Sequence, residues 1–362
     1  MKKKRIGVLT GGGDCPGLNA VIRAVVRSAL NLDWEIIGIR EGFEGLLDLR
    51  KTEKIGPGNI KGILNLGGTI LGTTNRGNPF TKKKKVGSKT VEYDVSDTVV
   101  KNFKKLKLDA LVAIGGDGTL GIASKFVDKG LPIIGVPKTI DNDLFSTVIT
   151  FGFDTAVSNA TDALDKLHST AESHQRVMVV ETMGRYCGWI ALNSGISGGA
   201  DVILIPEIPF KMEKICEAVE KRYKNRSNFA IIVVAEGAQP AGGKIFVKQC
   251  KEKGKEHPVL GGIAEWMARE IQERTGHEAR FMSLGHLQRG GQPTTFDRLL
   301  GTRFGACAIR LIQENIFGVM VASVPPDMKY VPIKEAISKM KKVPVDCDTI
   351  ISARQLGISF GD

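Results

Sequence analysis

The sequence predicts an α/β protein built on mainly parallel sheets with helices on both faces. Three observations predict it. Short branched-apolar runs alternate with longer helical patterns almost throughout the chain. Those runs are apolar at consecutive positions rather than at every second one, as in strands covered on both sides. At 362 residues the chain is long for one compact core, so two domains are expected.

In chain order, strands are predicted at 5–9, 35–39, 109–114, 132–136, 176–181, 201–205, 229–235 and 281–284. Helices are predicted between them, at 19–30, 155–169 and 209–223. The Gly- and Lys-rich stretches at 72–90 and 236–256 read as surface excursions. No short-period repeat and no low-complexity linker marks a boundary, which fits domains that exchange segments. Ligands in such folds bind where loops leave the carboxyl ends of strands.

Composition narrows the function. No apolar run reaches the roughly 18 residues that cross a membrane. The opening Met1-Lys2-Lys3-Lys4-Arg5 runs straight into a strand pattern, so a cytoplasmic protein without a membrane partner is expected. The six cysteines lack CxxC spacing, which argues against zinc and a disulfide framework and for reduced thiols. A net charge of +12 suits nucleic acid, an acidic membrane surface or small anionic ligands. Its one dense basic run, Lys82 to Lys85, lies between Pro79 and Gly87 with a single aromatic neighbour, Phe80. That run reads as a solvated loop rather than a nucleic-acid stripe. Phosphorylated small molecules suit the dispersed remainder best.

Four segments carry the chemistry. The first strand runs into Thr10-Gly11-Gly12-Gly13-Asp14-Cys15-Pro16-Gly17 and then a helical pattern. Glycines let backbone approach a phosphate, and a helix start supplies amide donors. This is neither GxGxxG nor a Walker A loop. Gly115-Gly116-Asp117-Gly118-Thr119 places an acid in a glycine turn, where it can carry Mg²⁺ on donor phosphates. Alone, that turn also suits lipid kinases, nicotinamide-nucleotide kinases or a plain Asx turn. Lys138-Thr139-Ile140-Asp141-Asn142-Asp143 follows a buried strand. If extended, it would point Thr139, Asp141 and Asp143 the same way. Finally, Arg176 and Met183-Gly184-Arg185 bracket one strand, while Arg280 and His286-Leu287-Gln288-Arg289 bracket another. The planar guanidinium suits phosphate oxygens.

Taken together, GGGDCPGLN, GGDGT, PKTIDND, HQRVMVVETMGRYCGW and LGHLQRGG closely resemble the 6-phosphofructokinase family, in order over nearly the whole chain. The resemblance is to the subgroup holding both ATP- and pyrophosphate-using members. It implies two Rossmann-like domains with the active site in the cleft between them. The donor domain would take residues 1–152 and 288–338, the fructose 6-phosphate domain 153–287 and 339–362.

By the same resemblance Asp141 is the general base toward the C1 hydroxyl of fructose 6-phosphate, and Asp117 holds Mg²⁺. Thr139, Ile140 and Asp143 lie near the sugar and the moving phosphate, and Arg185 neutralises the phosphoryl group in flight. Met183, Gly184 and Glu236 contact the sugar. His286, Leu287, Gln288 and Arg289 serve its 6-phosphate, with Arg176 and Arg280 reaching it from a neighbouring subunit of a homodimer or homotetramer. Gly12, Gly13, Arg76, Gly77, Gly116, Gly118 and Thr119 line the donor side.

Donor choice rests on two positions. Relatives that use ATP tend to carry glycine at the positions of both Gly118 and Lys138, and relatives that use pyrophosphate tend to carry aspartate and lysine. This chain has Gly118 with Lys138. A carboxylate at 118 would repel and crowd an α-phosphate, whereas glycine leaves room, so ATP is favoured on steric grounds with pyrophosphate as runner-up. Two other classes compete. A nicotinamide-dependent oxidoreductase would need the missing GxGxxG. A non-catalytic sugar-phosphate sensor would have no use for Asp141 and Asp117.

Overall fold

The structure, a computed structural model, describes every residue except 1–2, 76, 87–88, 225–226 and 248–259. The chain packs as two compact units. The first comprises Met1–Ile140, Leu144–Asp154 and Arg289–Met340; the second comprises Asp141–Asp143, Thr155–Gln288 and Lys341–Asp362. The tripeptide Asp141–Asp143, assigned by sequence to the donor domain, packs with the second unit instead.

In the first unit the run at the amino end forms β1 (Arg5–Thr10), followed by α1 (Leu18–Leu30), β2 (Glu35–Ile39) and β3 (Thr52–Ile55). A hairpin of β4 (Lys82–Val86) and β5 (Lys89–Tyr93) precedes α2 (Ser96–Lys105), β6 (Ala110–Gly115), α3 (Asp117–Asp128) and β7 (Ile133–Pro137). The second unit holds most of α4 (Phe153–His174), then β8 (Val177–Thr182), α5 (Trp189–Ser197), β9 (Val202–Leu204) and α6 (Met212–Lys224). It continues with β10 (Ala230–Ala235), α7 (Ile263–Thr275) and β11 (Ala279–Ser283). The chain then returns to the first unit as α8 (Thr295–Gln313), β12 (Val319–Val324), β13 (Asp327–Pro332) and α9 (Ile333–Ala336). It ends in the second with α10 (Asp348–Gln355).

The large sheet of the first unit runs β13-β12-β7-β6-β1-β2-β3. Its interior pairs are parallel, and only the outer pairs β2–β3 and β12–β13 are antiparallel. From β1 the chain moves to β2 on one side and later to β6 and β7 on the other. The order therefore reverses between β1 and β6. At such a reversal the loops leaving the two carboxyl ends diverge and open a crevice. Those two loops are the Gly11–Gly13 turn and the Gly115–Thr119 turn. Every side chain of β6 is buried, as consecutive apolar residues require.

Helices α1 and α8 lie close because α8 carries Gly301 and Gly305. A Cβ at Gly305 would come 2.6 Å from the Val21 carbonyl oxygen. Alanine there would push the helices apart.

The second unit has a four-stranded parallel sheet in the order β11-β8-β10-β9. Strands β8 and β10 are buried along their whole length. Strand β11 differs from the expectation of a strand covered on both faces. It is an edge strand with Arg280 to Ser283 exposed at consecutive positions, so neither of its faces is covered there.

The lysine run also departs from expectation. It is not a loop: Lys82–Val86 pairs antiparallel with Lys89–Tyr93. Ion pairs support the ribbon where composition suggested only solvation, with Lys82 on Glu44 at 2.5 Å and Lys83 on Glu92 at 3.4 Å. Among the described residues no helix is long and apolar enough to cross a membrane. Five cysteines are free thiols, and Cys250 lies outside the described residues.

Candidate active site

The glycine turn after β1 is shaped by side chains that press on it. The Gly11 amide donates to the Ile114 carbonyl at 2.9 Å, and that of Gly12 to the Thr74 carbonyl at 3.2 Å. These two amides are therefore engaged inside the protein, against the expectation that they face a ligand. The carbonyls that follow are each capped. Thr73 Oγ1 donates to the Gly12 oxygen, Lys138 Nζ to that of Gly13, and Arg289 Nη1 to that of Asp14.

That crowding explains the glycines. A Cβ at Gly11 would meet Thr119 Oγ1 at 2.6 Å, and one at Gly13 would meet Arg289 Nη1 at 2.8 Å. Gly12 has φ +80 as well, a region that side chains rarely adopt. The turn thus brings two cations, Lys138 and Arg289, to one stretch of backbone. Cys15 behind it is fully buried, which pushes its thiol up to about 12 despite nearby Lys138. It is an inert neutral group there.

The neighbouring turn opens α3. Gly116 is the N-cap, Asp117 the first helical residue, and both Asp117 and Gly118 are exposed. The first amides of a helix have no partner within it, so this end favours an anion. Thr119 is buried and wedged against Gly115, where a Cβ would come 2.3 Å from the threonine Cβ. Nothing lies within 4 Å of a Cβ built at Gly118. Among the described residues no cluster of three or more His, Cys, Asp or Glu could cage a metal ion. A lone exposed carboxylate still fits Mg²⁺, which keeps several waters and takes phosphate oxygens alongside one or two carboxylates. Arg76 lies outside the described residues. Gly77 packs against Glu44, whose Cγ would be 2.7 Å from its Cβ.

Strand β7 runs into the third segment. Lys138 is buried, and the half-buried Thr139 accepts a 2.7 Å hydrogen bond from Thr150 Oγ1 on its carbonyl. Ile140 and Asn142 are buried, while Asp141 and Asp143 are half-exposed. The segment is not extended, since Asn142 sits at φ 52 in the left-handed region. Asparagine tolerates that region better than most residues. The two aspartates therefore alternate with buried residues through a bend, not through the pleat of a strand.

In the second unit, the end of β8 delivers Met183, Gly184 and the half-buried Arg185. Gly184 takes φ +137, with a would-be Cβ 2.7 Å from the Cys187 carbonyl oxygen. Gly237 approaches the Arg185 carbonyl so closely that its Cβ would lie 2.0 Å from that oxygen. Glu236, beside it, donates its amide to the Thr182 carbonyl at 2.9 Å.

Gln288 is wholly buried, and its Oε1 accepts from the Met183 amide at 3.3 Å, tying the end of β8 to the turn after β11. His286 and Leu287 in that turn are exposed. Arg289 closes the same short turn that carries His286, Gly285–Arg289, and its Nη1 reaches back to the Asp14 carbonyl. Arg176 and Arg280 share one carboxylate. Arg176 Nε is 2.8 Å from Glu278 Oε2, and Arg280 Nη2 binds Glu278 Oε1. The Arg176 hydrogen bond chiefly, with Arg280 adding, holds the Glu278 carboxyl below the ordinary range.

Several residues at the site carry no sequence signal. Lys341 reaches Asn142, Glu207 accepts from the Gly188 amide, and Thr73 caps the glycine turn. None lies in a glycine turn or a charged motif.

Comparison with known proteins follows the same lines. A family model described as Phosphofructokinase matches residues 5–312. The chain is 51% identical over 362 residues to the ATP-dependent 6-phosphofructokinase of Chloroflexus aurantiacus, covering 100% of this chain and 99% of that one. It is 50% identical over 341 residues to the pyrophosphate–fructose 6-phosphate 1-phosphotransferase of Amycolatopsis methanolica, covering 94% and 96%. The solved T-state phosphofructokinase of Pichia pastoris superposes with a TM-score of 0.80 at 29% identity over 93% of this chain. This chain spans 36% of the length of that yeast chain, about a third.

Proposed function

This chain belongs to the phosphofructokinase family, and from that premise we propose that it phosphorylates the C1 hydroxyl of fructose 6-phosphate with ATP to give fructose 1,6-bisphosphate. The observation that carries the reading is the pair of acidic turns at strand ends. Exposed Asp117 opens α3, and Asp141 stands in the bend after β7. A pyrophosphate donor is the second reading, favoured by Lys138 and by the Amycolatopsis relative.

Phosphoryl transfer needs positioning and charge neutralisation more than covalent catalysis. Asp141 accepts the proton of the C1 hydroxyl. In the same step the C1 oxygen bonds to the γ-phosphorus while the bond from that phosphorus to the bridging oxygen breaks, its electron pair leaving on ADP. A loose transition state deprotonates the alcohol late, so an ordinary carboxylate suffices as base. Asp117 would hold Mg²⁺, whose chemistry there would be to offset the negative charge of the donor phosphates.

Arg185 faces the developing charge on the phosphoryl group, with Thr139 and Asp143 beside the reacting groups. Lys138 and Arg289 keep positive charge at the glycine turn; Gly12, Gly13, Gly77, Gly116 and Thr119 are assigned to the donor, as is Arg76, which lies outside the described residues. The open space at Gly118 supports ATP, whose α-phosphate needs it. Met183, Gly184 and Glu236 hold the sugar, and His286 with Leu287, Gln288 and Arg289 holds its 6-phosphate. Arg280 on the edge strand β11, and Arg176 just before β8, would serve a neighbouring copy in a homo-oligomer.

A coupled assay of fructose 1,6-bisphosphate formation tests this. Turnover with ATP and Mg²⁺ should exceed that with pyrophosphate. Faster turnover with pyrophosphate overturns the donor assignment, and no product with either donor overturns the function.

A further inference from the structure

The Asp141–Asn142–Asp143 bend departs from its flanking chain and packs with the second unit. One residue accounts for much of that attachment. Lys341 donates its amide to the Asp143 carbonyl at 2.8 Å and its Nζ to Asn142 Oδ1 at 2.7 Å. Its own carbonyl accepts from Trp189 Nε1 at 2.9 Å, and its Nζ sits 5.8 Å from the centre of a Trp189 ring. Two residues on, the Val343 amide donates to Glu207 Oε1 at 2.9 Å, and the same carboxylate accepts from the Gly188 amide. The segment 341–343 is thus stitched both to the start of α5 and to the bend.

We propose that Lys341 is a positioning residue for phosphoryl transfer. It holds the bend in its left-handed form through Asn142, and it keeps a cation near the Asp143 carboxylate, on the bend that carries Asp141. The inference rests on the reading of Asp141 as the base.

Three physical points support it. Asn142 is buried at φ 52, so its amide has a fixed direction and a second anchor on it sets the aspartates on either side. The ammonium is half-buried rather than solvated, so its charge is poorly screened. Burial lowers the Lys341 amine to about 8, with Asp143 pulling the other way, so the cation persists at neutral pH.

The charged and titratable groups facing this cluster are Asp141 and Asp143 from the bend, Cys187 before α5, Glu207 after β9, and Lys342. Burial first, then Asp143, Glu207 and Asp141, raises the Cys187 thiol, which stays neutral. Lys341 is a cation bonded to this bend.

A nearby cation favours ionised carboxylates, so removing it raises their pKa. The wild type, Lys341→Met, Lys341→Arg and Asn142→Gly should be compared by the pH profile of kcat between pH 5 and 8. For Lys341→Met the acidic limb should move up by about one pH unit, with turnover on that limb, at pH values below both pKa values, falling by up to about tenfold. The donor KM should stay within about twofold, because uniform binding is not what is lost. Lys341→Arg keeps the cation and should hold the limb in place.

Asn142→Gly retains the left-handed bend but loses the anchor, and should lower kcat several-fold at every pH. It also decides the matter if Lys341→Met fails to fold. A wild-type limb in Lys341→Met, or wild-type kcat in Asn142→Gly, overturns the proposal. Asp141→Asn serves as the control. If it is inactive while the other variants behave as wild type, only this inference fails. If it turns over normally, the assignment of the base fails first.

Discussion

Replacing Gly118 by aspartate puts a second carboxylate next to Asp117 in the first turn of α3. Gly118 is exposed and nothing lies within 4 Å of its would-be Cβ, so the new side chain starts in open space. An acid near a helix N-terminus is worth about 0.3–1 kcal/mol in its favour, so folding should be unharmed. The donor should pay instead. A carboxylate about 5 Å from an α-phosphate charge costs about 3 kcal/mol at an effective dielectric of about 20. If magnesium and salt screen about half of that, roughly 1.5 kcal/mol remains, or about tenfold in kcat/KM. Pyrophosphate has no α-phosphate beyond its two phosphoryl groups and should lose less. The assay is the initial rate of fructose 1,6-bisphosphate formation with each donor, beside a thermal melt. A melt lowered by several degrees, or kcat/KM for ATP within twofold of wild type, refutes the reasoning.

Lys138→Met keeps the bulk of a buried side chain but removes the donor to the Gly13 carbonyl. Stability should fall by about 1–3 kcal/mol in a denaturant titration, and rates with ATP and pyrophosphate should fall together. Selective loss of pyrophosphate use alone would show that the amine serves the donor and not the turn. On β2, hydrogen bonds from Lys54 first and Arg5 next lower Glu35 from 4.5 to about 2. A depressed carboxyl stabilises the fold above its unfolded pKa, and that gain is lost as pH falls through the folded value. Glu35→Gln should therefore have a lower denaturation midpoint than wild type at pH 7, and the two should converge as pH approaches 2. Parallel curves across that range would contradict the pairing.

What was legible in the sequence was whatever burial and glycine geometry impose locally. Consecutive apolar residues gave β1, β6, β7, β8 and β10 within a residue or so of their observed ends. The crowding of Gly11, Gly13 and Gly115 by Thr119 and Arg289 is why glycine recurs there. Long-range partners were not legible. The lysine ribbon is invisible to a charge rule, because its pairing depends on Glu44 and Glu92. Arg289 shares a short turn with His286, yet its reach to the Asp14 carbonyl, 275 residues away, has no local signal. Asn142 belongs to a motif, yet its positive φ cannot be read from residue type. Lys341 lies among lysines with no turn residue beside it, and its role depends on a contact 199 residues away.

The most direct test is the turnover of Asp141→Asn with ATP, Mg²⁺ and fructose 6-phosphate, measured with equilibrium binding of the sugar phosphate. The amide keeps the shape of the bend and cannot take the proton. The account predicts a fall in kcat of about a thousandfold, with sugar-phosphate affinity within a few-fold of wild type. Turnover within tenfold of wild type would contradict it.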